Sequence, residues 1–273
     1  MNAALYSAFL GMRARQRALD ATANNIANSS TSGFKAERVL YRSIEAAKAE
    51  ALRAEESAGG TNQPSPQAAT SPQGVAVAAA TAGMQEARAT GVVTSGATDF
   101  SAGAIRETGR SLDVALDGDG FLVVQTPRGE RYMRAGNLTL DAAGQLTTQH
   151  GDLVVGQAGP ITIPAGEVTI GEDGTVSVKG QQIDQLKIVR FDNPQAALVK
   201  EGESLFMPTG QGRALEANGT RVLQGSLEMS NVNTVSEMVA MMQNSREFES
   251  LQKSITLMMN EIGRKVSSEL GRL

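Results

Sequence analysis

The feature that most constrains this chain is a repeat present at both of its ends and absent between them. Leu5, Met12, Leu19 and Ile26 fall at seven-residue intervals, with Phe9 and Ala23 on the adjoining row. Toward the other end Met241, Phe248, Ile255 and Ile262 do the same, flanked by Met238, Leu251, Met258, Met259 and Val266. Apolar residues at this spacing keep facing one partner along a helix, so a sustained heptad is a seam for another helix. A lone helix of this kind has nothing to bury its stripe against and is marginal in water. Two seams bracketing a long non-helical middle imply that the ends meet each other, or neighbouring copies, after the middle has folded. That is the layout of a subunit made for assembly.

Composition closes several other classes. Of the 273 residues 41% are apolar, but only 4% are aromatic and none is Trp, so a core of Val, Leu and Ile is expected without platforms for stacking sugars or bases. A net charge of −4 with no Lys/Arg cluster offers no phosphate track, so no nucleic-acid partner is expected. With no cysteine there is no disulfide, thiolate metal site or cysteine nucleophile. No run approaches the roughly 18–20 apolar residues of a membrane span. Arg13, Arg15 and Arg17 interrupt any apolar stretch near the N-terminus, so export by a cleaved secretory signal is not expected.

Along the chain, residues 3–28 read as a helix stopped by the polar run Asn28-Ser29-Ser30-Thr31-Ser32-Gly33, whose residues compete for the backbone. Residues 44–56 have helix propensity but little apolar face. From 57 to about 98 the chain is rich in Ala, Ser, Gly, Thr and Pro with no Leu, Ile or aromatic, and cannot bury enough to offset its ordering entropy. From 100 to about 229 the texture switches to period two. The ranges 112–116, 121–125, 137–140, 145–148, 153–155, 167–170, 175–178 and 185–191 read as strands separated by turn pairs such as Ala143-Gly144 and Asp173-Gly174. After Asn231-Val232-Asn233-Thr234 a helix runs to about 269. The expected fold class is α+β: a discontinuous coiled-coil-like domain from N- and C-terminal helices plus a central antiparallel β-rich domain. Its expected segments are 1–35, a linker at 36–98, a β-rich domain at 99–228 and 229–273.

No constellation supports an enzyme. The single His150 sits beside Gly151 in a turn without a partner for a metal or a nucleophile. Asp117-Gly118-Asp119-Gly120 breaks the calcium-loop register at Phe121 and reads better as a hairpin turn. No catalytic, cofactor-binding or metal residue is expected, and no small-molecule substrate. Six of the eleven Met lie between 229 and 259, which suits a helical interface with varied neighbours or an ordinary helix–helix core, two readings that are compatible.

Three stretches together resemble the flagellar basal-body rod and hook proteins. Asn24, Asn25, Ile26, Ala27, Asn28, Thr31, Gly33 and Phe34 match the N-terminal signature of that family. Residues 98–125 and 132–146 look like the entry into the β-domain of its longer rod members, and residues 225–255 are similar to the C-terminal segment its members share. The resemblance implies subunits secreted unfolded through the flagellar export apparatus and polymerised into a helical tube. Their partners would be other copies and neighbouring axial proteins, with terminal helices inside and β-domains outside. The length excludes the largest hook and the smallest rod members. The runs 111–125 and 151–164 favour the proximal rod subgroup, with the distal subgroup as the alternative. A reading from another class is a secreted β-rich binding or adhesin domain with oligomerising helical tails. The expected assembly residues are Leu5, Phe9, Met12, Leu19, Asn25, Ile26, Asn28, Gly33, Phe34, Met238, Met241, Phe248, Leu251, Ile255, Met259 and Ile262. Within them Asn25 and Asn28 are expected to bond free backbone groups, Gly33 to take a positive φ, and Phe34 to dock on the β-domain or a neighbouring subunit.

Overall fold

The computed structural model describes residues 2–43, 92–202, 204–217 and 219–270. Helix α1 (Asn2–Ala27) leads to strands β1 (Glu37–Ser43) and β2 (Val92–Thr98), which pair with each other. Next come β3 (Ile105–Glu107), β4 (Val114–Asp117), β5 (Phe121–Thr126), β6 (Gly129–Met133), β7 (Thr139–Leu140), β8 (Leu146–Thr147) and β9 (Leu153–Val154). They are followed by β10 (Val168–Ile170), β11 (Thr175–Val178), β12 (Gln181–Gln185), β13 (Ile188–Arg190), the single turn α2 (Pro194–Ala197), β14 (Leu198–Glu201) and β15 (Leu205–Pro208). The chain closes with β16 (Leu215–Glu216), β17 (Arg221–Gln224), β18 (Ser226–Glu228) and the long helix α3 (Thr234–Leu270). It falls into two compact units, Ala23–Arg38 with Ala97–Met238, and Met1–Thr22 with Val39–Gly96 and Val239–Leu273.

The first unit is the β unit, and β5 organises it. One edge of β5 pairs with β6; the other pairs with β13 through Phe121 and Leu122 and with β9 through Val124 and Gln125. Its residues Phe121 to Val124 are all buried, so β5 is covered on both faces and its alternating side chains serve two cores. Leu122 and Val124 enter a core of aliphatic residues that includes Leu138, Leu146, Val154, Ile161 and Val176. Phe121 and Val123 enter a second core with Tyr132, Phe191 and Phe206. There Phe121 meets Phe100, Phe191 and Phe206 at centroid separations of 5.6, 6.0 and 5.8 Å, and Tyr132 meets Phe191 edge-on at 5.0 Å. Four of the seven Phe thus gather in one cluster, and a chain poor in aromatics concentrates them where each ring buries most.

The second unit contains most of both long helices. The buried row of α1 is made of small residues: Ala14, Ala18 and Ala21 are 4, 5 and 9% exposed. Gly11 continues the row, and a Cβ added to it would lie 3.8 Å from Leu251 Cδ1 on α3. Arg15 fastens the same helices, its guanidinium meeting Glu247 at 2.6 Å and donating to Asn244 Oδ1 at 3.3 Å and to the Tyr41 hydroxyl at 3.4 Å. The row at Met12, Leu19 and Ile26, expected to be the seam, is only half-buried, and Phe9 is 46% exposed. Small residues permit close backbone approach, so they take the inside face and the larger ones lie beside it. The terminal helices therefore have a partner within the chain.

Several other expectations are revised. The stretch from 36 to 98 is not linker throughout, because its ends form β1 and β2; both carry apolar β-branched residues, Val39 in β1 and Val92 and Val93 in β2. The helix expected at 44–56 lies outside the described residues. The range 185–191 is two strands, since Lys179 (φ 51°) and Gly180 (φ 79°) make a tight turn that starts β12 before Gln185. Asp117-Gly118-Asp119-Gly120 is no hairpin: β4 pairs with β17 and β5 lies in another sheet, so the turn carries the chain across.

Leu140 and Leu146 face each other in register between β7 and β8, yet Leu146 is fully buried and Leu140 is 40% exposed. Leu146→Ala is expected to lower the unfolding free energy of the β unit by about 2–5 kcal/mol through the cavity it leaves. Leu140→Ala should change it by no more than about 0.5 kcal/mol. Urea unfolding of the full chain followed by circular dichroism distinguishes the two.

Candidate assembly site

Helix α1 ends in a segment that folds back onto the β unit. The Asn25 amide pairs with the backbone of Glu37 on both sides, donating to its carbonyl and accepting from its N–H at 2.9 Å each. Asn28 donates to the Asn24 carbonyl at 3.0 Å and accepts from the Thr31 hydroxyl at 3.2 Å, so both side chains satisfy backbone or polar groups freed at the helix end. Gly33 then turns the chain at φ 67°, and a Cβ there would sit 2.2 Å from the Ala135 backbone nitrogen. Conformation and contact both require glycine. Phe34, fully buried, follows, with the Lys200 ammonium 3.5 Å from its ring centroid. The Lys200 ammonium also donates to the Lys35 carbonyl at 3.1 Å.

Beneath this segment lies a buried ion cluster. Lys35 and Glu228 are each 1% exposed and Arg134 is 4% exposed. Glu228 Oε1 accepts from Lys35 Nζ at 2.7 Å and from the Gly103 N–H at 2.8 Å, while Oε2 accepts from Arg134 Nη1 at 3.2 Å. Lys35 Nζ also donates to the Ser101 carbonyl at 2.7 Å, and Arg134 to the carbonyls of Leu116 and Gly118 at 3.2 and 2.7 Å. Burial pushes the Lys35 amine and the Arg134 guanidinium below their ordinary pKa values, against the pull of Glu228. The backbone closes the same ring: Gly33 N–H donates to the Glu228 carbonyl, Asp99 N–H to the Ala36 carbonyl, and Ala36 N–H to Asn231 Oδ1, each at 2.8 Å. Asn231 Nδ2 donates to the Asp99 carbonyl at 2.8 Å. Four stretches, 33–36, 99–104, 134–135 and 228–231, are tied at one place. At Asp99 burial alone would raise the carboxyl pKa, but hydrogen bonds from Ser101 and the charge of Arg38 outweigh it and hold the group below its ordinary 3.8.

The expected residues distribute unevenly. Gly33 and Phe34 lie in this ring, while Asn25 bonds Glu37 next to it and Asn28 bonds Asn24 and Thr31 at the helix end; all four are buried. Phe248, Leu251 and Ile255 are half-buried on α3, whereas Met238, Met241 and Met259 stay exposed at 50, 39 and 56%. Leu5 and Ile262 lie on α1 and α3. Sequence reasoning missed Lys35, Arg134 and Glu228, since isolated charges among turn residues read as solvated surface. His150 is exposed in the turn after β8, and among the described residues no group of three or more acidic or His side chains is placed to hold a metal ion. No described helix is long and apolar enough to cross a membrane.

Comparison with known proteins gives three family matches in chain order. Residues 5–35 match the flagella basal body rod protein family, residues 115–178 the D1 domain of the flagellar hook protein FlgE/F/G family, and residues 223–258 the C-terminal region of flagellar basal body rod FlgEFG proteins. The chain is 36% identical to the flagellar basal-body rod protein FlgG of Bacillus subtilis, over 92% of this chain and 93% of that one. It is 32% identical to the rod protein FlgF of Caulobacter vibrioides over the full length of both, and 34% identical to FlgF of Escherichia coli over 97% of each.

Two outcomes follow from the ring. Gly33→Ala should cost at least about 2 kcal/mol, because it combines a strained φ with a backbone clash, read as a lower urea midpoint of the full chain. The depressed carboxyl of Asp99 contributes stability that is present above the ordinary carboxylate range and is lost as pH falls through its folded value. The stability gap between wild type and Asp99→Asn should therefore close as pH drops from about 5 to about 2. A gap that stays constant across that range would contradict the assignment.

Proposed function

The chain belongs to the flagellar basal-body rod family and is a structural subunit of that rod, and from this premise we propose that it polymerises through apolar faces its terminal helices leave open. The observation that carries the reading is the number of large apolar side chains exposed on α3: Val235 at 72% and Met242 at 55% near its start, and Leu257 at 68% and Met259 at 56% further along. A helix whose inner face already meets α1 leaves these side chains to water in the single subunit, and large apolar side chains grouped at the surface mark an interaction site. Methionine adapts to slightly different neighbours, which suits a helical array in which successive contacts differ. Coiled-coil-like packing of α1 and α3 against the same helices of other copies would bury Phe9, Met12, Leu19, Met238, Met241 and Met259.

Within this reading Phe248, Leu251 and Ile255 serve the contact of α3 inside the subunit, and Asn25, Asn28, Gly33 and Phe34 fix the root of α1. In this reading, which the family supports, the partners are other copies, neighbouring rod proteins and, in transit, the flagellar export apparatus. We place the chain in the proximal part of the rod on the resemblance of its runs at 111–125 and 151–164, although relatives named FlgG and FlgF are alike over nearly its whole length. A free-standing secreted binding domain is not favoured.

Leu257→Asp alters a side chain that is 68% exposed in the single subunit, so folding stability should change by no more than about 0.5 kcal/mol. In an assembled interface the same carboxylate would be buried without a partner, and rod incorporation and swarming should fail. Motile cells carrying Leu257→Asp and Met259→Asp would contradict the proposed seam. Complementation of strains lacking either the proximal or the distal subunit tests the placement, with rescue expected in the former.

A further inference from the structure

The buried ion cluster couples parts of the chain far apart in sequence, 35, 134 and 228, through a single carboxylate. Two cations share that carboxylate, so removing Glu228 would leave Lys35 and Arg134 facing one another in the interior with only the weaker pulls of Asp99 and Asp119 to offset them. The backbone around it interlocks as well. Glu228 sits opposite Ile105 in the pairing of β18 with β3, Met229 N–H donates to the Ala104 carbonyl at 2.8 Å, and a Cβ on Gly103 would lie 1.9 Å from the Met229 oxygen. The segment 33–36 rests on this same residue, through the Gly33 bond to the Glu228 carbonyl and the Lys35 bond to its carboxylate.

We propose that the Lys35–Glu228–Arg134 cluster is a closure latch: docking of residues 33–36 and seating of the β3–β18 pair are one event, so neither flank of the β unit is held without the other. Residues 23–27 of α1 and 234–238 of α3 belong to the same unit, so the latch secures the roots of both helices together. A set of independent local contacts would instead let one flank open while the other stayed closed. The latch stands whether or not the exposed helix faces form the rod seam, because it concerns bonds within one chain.

The test is peptide-resolved amide hydrogen exchange on the full-length protein and on Lys35→Met, Glu228→Gln and the double variant. Lys35→Met keeps the aliphatic stem and removes the charge. Exchange should accelerate together at 33–36, 103–107 and 226–231, by roughly a hundredfold, the scale expected on removing one partner of a buried ion pair. Glu228→Gln should open the same three stretches further, because it leaves two buried cations. The double variant should exchange more slowly than Glu228→Gln alone, since deleting the Lys35 charge relieves that repulsion. Folding of the double variant where Glu228→Gln fails to fold would be the same result in stronger form. Acceleration in Lys35→Met confined to 33–36 would overturn the latch, as would a double variant more exposed than either single one. Should both Glu228 variants fail to fold, Lys35→Met decides alone.

Discussion

The β unit depends on a carboxylate placed where water cannot reach it. Moving charges such as those of Lys35, Arg134 and Glu228 out of water costs several kcal/mol each before their mutual attraction is counted. An apolar trio of similar volume would hold the same space without that cost. What it could not do is choose a register. Gly33 and Gly103 bond to Glu228, Asp99 to Ala36, and the Asn231 side chain to both Ala36 and Asp99, in an arrangement that a slip of one residue would break, and the ion cluster beneath accepts one alignment of four stretches of chain. The positive φ at Gly33 and the cation above the Phe34 ring belong to the same alignment.

Fixing both helix roots leaves the helices free to divide their surfaces. The inner row of α1, from Gly11 to Ala21, is small enough for close approach, and Arg15 supplies a polar clasp to Glu247 and Asn244 on α3. The larger residues are kept for the outside. The proposed assembly suits this order: the roots of both helices belong to the β unit, and the large apolar side chains exposed on α3 are the surface proposed for neighbouring copies.

The organisation of the chain was legible from its sequence because it rests on periodicity and turn chemistry. Helical ends and a strand-rich middle follow from spacing and from residues with few conformational choices, while the segment from Asn24 to Phe34 stood out by its resemblance to the family. The inner face of α1 was not legible, because hydropathy ranks Met12 and Leu19 above Ala14 and Ala18 whereas close packing ranks them the other way. The hairpin at Lys179-Gly180 lacked the Asn or Asp that usually marks such a turn, so β12 was missed apart from its last residue, which was read together with β13. The run of aspartates and glycines before Phe121 carried a correct turn signal, but which sheets it joined depended on the remote pairing of β4 with β17. The ion cluster was invisible for the same reason: its members are 193 and 94 residues apart along the chain, and no local pattern separates a buried Lys from a solvated one.

In the proposed assembly the outer faces of the terminal helices are open in the single subunit and closed in the rod. The chain contains no cysteine, so a single Leu257→Cys substitution gives a unique thiol at the most exposed large apolar site described in the outer half of α3. Its rate of reaction with a small water-soluble maleimide, compared between dilute subunit and purified basal bodies, reads the closure directly. Rapid labelling of the free subunit and protection by at least about tenfold in the assembled rod is the predicted result. Equal labelling in the two states would show that this face stays open to water, and the account of how the subunit assembles would be wrong.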